Sequence, residues 1–323
     1  MVSNALSASW LLAGLRGSFE LMTTAPAAPE PALRPGEVPV THPASLAVLA
    51  VGLCVLAVGI GLWVARPNRL SLRDAPARSN RLHVLHVVGL LAAMWFASGL
   101  AMVALRELVL DGMADGAPTK AMKVRCELAS GAIAALVWLV AGLAVAWHAF
   151  RERMRGLGLS LRRPLRDGAR AVVTYLMVFP VCTALHIGCS LLLSVLGVEP
   201  RIHPVLHHFS TFPLLWKQLA IVSVLVLAPL AEEVFFRGLV QSLARRAGAG
   251  PWTAILAASA LFAAVHYNQP QAIPSLFVLS LALGYSYERT GRLVSPILLH
   301  SLFNAVYVLL SAMVGDPPGG TGG

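Results

Sequence analysis

The chain has 323 residues, 57% hydrophobic and only 12% charged, with a mean hydropathy of +0.72. A soluble domain carries roughly 25% charged residues, so this composition excludes an ordinary soluble protein and implies a polytopic α-helical membrane protein. The formal charge of +10 does not read as nucleic-acid binding, because the arginines gather in short loops between apolar runs, as inner-side loops of membrane proteins require.

In chain order, residues 1–43 form a separate Pro/Ala-rich leader and linker. Ala5 to Leu15 is too short to span a bilayer and reads as an interfacial segment. From Ala25 to Pro43 the prolines, alanines and glutamates cannot bury a core, so this stretch is expected to be disordered. About eight spans follow, each near the roughly 20 residues that a bilayer core demands. They cover Leu46–Ala65, Val84–Leu105, Leu128–Phe150, Ala171–Leu196, Leu215–Arg237 with an extension to Arg246, Trp252–Tyr267, Ile273–Glu288 and Leu293–Met313. The expected fold is therefore an all-α transmembrane helical bundle. It divides into helices without a recognised motif at 44–200, a motif-bearing core at 201–314 and a disordered Gly/Pro tail at 315–323.

The loop charges agree with an even number of spans. Arg66, Arg69, Arg73, Arg78 and Arg81 fall in the first loop. Arg151, Arg153, Arg155, Arg162, Arg163, Arg166 and Arg170 fall in the third, Arg245 and Arg246 in the fifth, and Arg289 and Arg292 in the seventh. This alternation puts those loops in the cytoplasm and both termini outside it, in a cell (inner) membrane. Cys54, Cys126, Cys182 and Cys189 have no C-x-x-C spacing and read as packing residues. Pro180 and Pro229 each remove a helix hydrogen bond; a bend at Pro229 would free a carbonyl beside the acids that follow it. In the loop Gly197 to Phe212, His203 and His207 have i, i+4 spacing but no acid between them. That loop, with Arg201 and His208, reads as an interfacial segment over the outer mouth of the bundle.

Three polar clusters interrupt the last apolar runs. The first is Glu232-Glu233-x-x-x-Arg237. Ionisable residues inside a membrane segment are costly and by default functional. Neighbours on a helix point about 100° apart, so the two glutamates cannot share a task. Glu233 and Arg237 have the i, i+4 spacing of an ion pair and are expected to be structural. Glu232 has no built-in partner and is the reactive carboxylate, suited to a general base. The second cluster is Phe262-x-x-x-His266. The third, His300-x-x-x-Asn304, puts two hydrogen-bond donors on one face, as a developing oxyanion needs. Each cluster could instead be polar glue between helices.

Three such motifs in order, on membrane segments, resemble the CPBP family of intramembrane proteases, which includes the type II CAAX prenyl proteases and ABI-like proteins. The flanks agree: Ala228-Pro229, Phe236-Arg237-Gly238, Gly284-Tyr285 and Arg289-Thr290-Gly291. The likeness covers about Leu215 to Ala312. It implies an endopeptidase acting on a membrane-associated protein or peptide, either lipid-modified or anchored by a C-terminal segment. In that role Glu232 and His266 activate water, His300 and Asn304 stabilise the oxyanion, and Glu233 and Arg237 support the site. Glu232, His266 and His300 could also form a His₂Glu zinc site; the same residues work in a metal-free glutamate protease. The alternatives are a non-catalytic membrane immunity or scaffold protein of the same fold, and a proton-coupled transporter, which would be expected to show an inverted repeat.

Overall fold

Lipid offers no hydrogen-bond partner to the backbone, so apolar segments of this length satisfy their own amides and carbonyls as helices. The computed structural model describes residues 50–59, 71–76, 78–111, 119–198, 209 and 212–314, and these are helical with no strand longer than a single bridge, Asn80 to Phe150. The leader, the Gly/Pro tail, Arg66, Arg69 and the segment with Arg201, His203, His207 and His208 lie outside the described residues.

The helices are α1 (Ala50–Gly59), α2 (Val84–Asp111), α3 (Lys120–Ala149), α4 (Pro164–Val195), α5 (Leu214–Arg246), α6 (Pro251–Ala264), α7 (Ile273–Thr290) and α8 (Val294–Val314). Four of them, α2 to α5, contain stretches long and apolar enough to cross a membrane, whereas α1, α6 and α8 are shorter apolar helices. The chain is thus an all-α membrane bundle. Local chemistry sets several ends. Thr119 caps α3 by accepting from the Met122 amide. Prolines open α4 and α6. Gly291, with φ of 63°, closes α7 in the left-handed conformation that glycine adopts without strain.

The organising element is α5, which packs against α2, α3, α6, α7 and α8. Its Phe235 and Phe236 meet Trp138 of α3, at ring separations of 4.6 and 6.2 Å. On the other side α4 lies against α7 and α8 through Cys182, Leu279, Leu283, Leu299 and Phe303. Pro180 sits within a continuous α4, and Gly52 lets α1 approach its carbonyl where any Cβ would collide.

A polar seam joins α5 to α7. On α5, Glu233, Arg237, Gln241 and Arg245 recur every fourth residue; on α7, Ser280, Gly284 and Glu288 do the same. Arg237 Nη2 donates to Ser280 Oγ at 2.9 Å. Gln241 Nε2 donates to Gly284 O at 3.1 Å and to Glu288 Oε1 at 3.0 Å. A Cβ on Gly284 would stand 2.9 Å from Gln241 Oε1 and 3.1 Å from Ile255, so any larger residue there must push the Gln241 amide aside.

At the arginine-rich end the loops are locked by charge. Glu288, fully buried, pairs with Arg78 at 2.5 Å and lies 3.7 Å from Arg245, while Arg78 also covers the Tyr287 ring at 4.0 Å. Asp167, likewise fully buried, takes Arg292 through both carboxylate oxygens at 2.9 Å from Nε. That hydrogen bonding holds the Arg292 guanidinium above its ordinary value.

Candidate active site

Two departures from α-helical register shape the central part of α5. The stretches Ser223–Leu227 and Val234–Gln241 are π-helical, on either side of Ala228–Glu233; such wide turns are frequent at functional sites. In the first, the Ala228 amide reaches back five residues to Ser223 O. The same register would give Val224 O the amide of residue 229, which is Pro229 and has no N–H. Asn304 of α8 supplies the missing donor, with Nδ2 2.9 Å from Val224 O. The carbonyl expected to be freed by Pro229 is therefore present, and Asn304 satisfies it.

Beyond Pro229 the two glutamates diverge as adjacent helical residues must. Glu233 is fully buried and paired with Arg237 at 2.9 Å, and Arg237 is itself 1% exposed. The guanidinium also lies over the Phe262 ring, 4.8 Å from its centroid. A buried charge left without a partner costs about 3–5 kcal/mol, so every charge in this cluster needs one. The Glu232 side chain keeps 21% of its surface and makes no hydrogen bond among the described residues.

His300 stands between the acids. Its Nδ1 lies 2.9 Å from Glu233 Oε1, and its Nε2 lies 3.8 Å from Glu232 Oε2. Sequence reading joined Glu233 only to Arg237 and left His300 free to donate. The carboxylate fixes the tautomer: Nδ1–H donates to Glu233, so in the neutral ring Nε2 carries the lone pair, and only the imidazolium donates on both sides. Two carboxylates facing one guanidinium leave one surplus negative charge. A single proton, on His300 or on Glu232, neutralises the cluster.

His266 lies in the turn just after α6, which ends at Ala264 rather than at Tyr267 as the apolar pattern suggested. Gln269, the residue before Pro270, is non-helical, as the proline ring favours. The His266 ring caps the last turn: Nδ1 is 2.7 Å from Phe262 O. A carbonyl only accepts, so Nδ1 carries the hydrogen, and in the neutral ring Nε2 offers its lone pair. Phe262 is the common wall, with ring separations of 4.9 Å to His266 and 5.8 Å to His300. No hydrogen bond or ion pair joins His266 to Glu232 among the described residues.

Among the described residues no three His, Cys, Asp or Glu side chains gather closely enough to hold a metal ion. Glu232, His266 and His300 do not fit a His₂Glu metal centre as they stand, so no step below runs through one.

Sequence reasoning missed Ser280, the second hydrogen-bond partner of Arg237, and, although a carbonyl freed by Pro229 was expected, it did not identify that carbonyl as Val224 O or Asn304 as its donor. The signal for Ser280 was its four-residue register with Gly284 and Glu288, matching that of the α5 residues. Val224 gave no side-chain signal, because its contribution is backbone.

Comparison with known proteins bears on the same helices. No solved structure matches the chain. An uncharacterized 24.3 kDa protein of Escherichia coli is 30% identical over 151 residues, which is 46% of this chain and 62% of that relative. The chain thus spans somewhat under two thirds of the relative's length. The family whose model matches is described as type II CAAX prenyl endopeptidase Rce1-like, over residues 214–306. That stretch contains all three motifs and runs from the first residue of α5 well into α8. Over residues 214–306, the chain is similar to the Rce1-like type II CAAX prenyl endopeptidases.

Proposed function

We propose that the chain is an intramembrane endopeptidase of the CAAX-protease type, which hydrolyses a peptide bond of a membrane-associated protein or peptide. The substrate would be lipid-modified or held by a C-terminal anchor. The observation that carries this reading is the graded exposure of one charged cluster: Glu232 is partly open, while its neighbours Glu233, Arg237 and His300 are buried and mutually bonded.

In this mechanism a water lies between Glu232 and the Nε2 lone pair of His266. Glu232 removes a proton as the oxygen attacks the scissile carbonyl, which makes a tetrahedral oxyanion. The shared proton, placed on His300 Nε2, faces that oxyanion, with Glu233 holding the opposite edge of the ring. Asn304 has a second amide N–H beyond the one given to Val224 and directs it to the same oxygen. When the intermediate collapses, the C–N bond breaks, the proton on Glu232 passes to the leaving amine, and a carboxylic acid and an amine result. Arg237 takes no proton; it fixes Glu233 and so His300. The arginine-rich loops are assigned to the cytoplasm of an inner membrane, with both termini outside.

The test is cleavage of a membrane-anchored reporter by Glu232→Gln and His266→Ala. Each is expected to abolish processing with expression and unfolding midpoint near wild type. Processing at the normal rate by both variants would overturn the protease reading. Loss of folding in both would favour a purely helix-locking role. A chelator titration on active enzyme is expected to leave the rate unchanged.

A further inference from the structure

At the arginine-rich boundary of α3, away from the glutamate cluster, a cleft of about 660 Å³ is lined by Trp147, Arg151, Glu152, Arg153, Met154 and Arg155. We propose that this cleft binds the phosphate of an anionic phospholipid headgroup. Arg153 has φ of 51°, the one non-glycine residue with positive φ among the described residues. A side chain with a Cβ adopts that conformation at a cost, and such strain gathers at ligand clamps. Here it lays the guanidinium on the exposed face of Trp147, 4.3 Å from the ring centroid. A guanidinium stacked in this way keeps its in-plane N–H groups free, which is the geometry that grips phosphate oxygens in pairs. Arg151 and Arg155 are exposed and form no ion pair among the described residues, and Glu152 pairs with neither.

The surroundings point to a lipid rather than a soluble anion. Trp147 stands at the end of a membrane helix, where interfacial tryptophans collect. Next along the chain, Leu161 and Leu165 are 77% and 89% exposed and alternate with Arg162, Arg163 and Arg166, which also make no ion pair among the described residues. Leucines so exposed beside arginines suit an acyl boundary capped by phosphates. If the arginines served only to orient the chain, neither the strained backbone nor the stacked pair would be needed.

The test uses the full chain in neutral detergent, with native mass spectrometry and thermal unfolding in phosphatidylglycerol, in phosphatidylcholine and in inorganic phosphate. Each arginine near an anionic surface contributes about fivefold in affinity. Arg151→Gln/Arg153→Gln/Arg155→Gln should therefore bind phosphatidylglycerol about a hundredfold more weakly, with phosphatidylcholine unaffected. Arg153→Lys keeps the charge but loses the stacked fork, and should lose about threefold. It keeps the test valid if the triple variant does not fold. A triple variant or Arg153→Lys that retains wild-type preference for phosphatidylglycerol would overturn the proposal. So would full competition by inorganic phosphate at equal concentration, which would assign the cleft to a soluble anion.

Discussion

Asn304→Ala separates what this side chain does for the fold from what it does in the reaction. In the wild-type chain its Nδ2 meets Val224 O at 2.9 Å, the carbonyl that Pro229 leaves without a helical donor. A buried acceptor deprived of its partner costs about 1–3 kcal/mol. The contact is only part-buried, and interhelical hydrogen bonds in membranes average about 0.6 kcal/mol, so a loss of about 1 kcal/mol is expected. Pro229→Ala restores an N–H five residues after Val224, in register with the local π-turn. In that background Asn304→Ala should cost less, leaving a coupling energy of about 0.5–1 kcal/mol. The assay is equilibrium unfolding in mixed detergent–SDS micelles for wild type, both single variants and the double. Additivity within about 0.3 kcal/mol would refute the account of the orphaned carbonyl. Activity should follow another pattern: if the second amide N–H faces the oxyanion, cleavage falls about 10²–10³-fold in Asn304→Ala and is not recovered by Pro229→Ala.

Three further outcomes can be measured on the same unfolding scale. Arg237→Met strands Glu233 in the bundle and should destabilise it by about 3–5 kcal/mol, with much of the loss recovered when Glu233→Gln is added. Ser280→Ala removes one of the bonds to Arg237 and should cost about 1 kcal/mol, because the guanidinium keeps Glu233. Gly284→Ala places a methyl against Gln241 and Ile255 and should cost about 1–3 kcal/mol; an unfolding midpoint unchanged by this substitution would argue against a closed α5–α7 seam.

The helices were legible because lipid imposes one rule on every segment: an apolar run of bilayer length must close its own hydrogen bonds. The pairing of Glu233 with Arg237 was legible for the same local reason, since four residues is one turn. Their surroundings were not. The lock that Glu233 sets on His300 crosses from α5 to α8, and nothing within either motif specifies the angle at which those helices meet. The apolar pattern carried α6 on through His266, yet the ring turns back onto the Phe262 carbonyl as the helix ends at Ala264. Loop arginines read as orientation signals alone; Arg78 and Arg292 instead neutralise Glu288 and Asp167, acids whose isolation in sequence gave no hint of burial. The first π-turn of α5 places Val224 O opposite Pro229 and leaves it to Asn304 of α8, so no single window of sequence contains that arrangement.

The interlock at the arginine-rich end governs how the gene can be divided. A fragment trimmed to residues 214–306 would retain every motif yet lose Arg78 from Glu288, Asp167 from Arg292 and Trp138 from the phenylalanines of α5. The portion that carries no motif is thus the counter-charge and the wall of the portion that does. Chimeras exchanging only the motif-bearing half with a homologue would have to bring along matching partners at positions 78, 138 and 167.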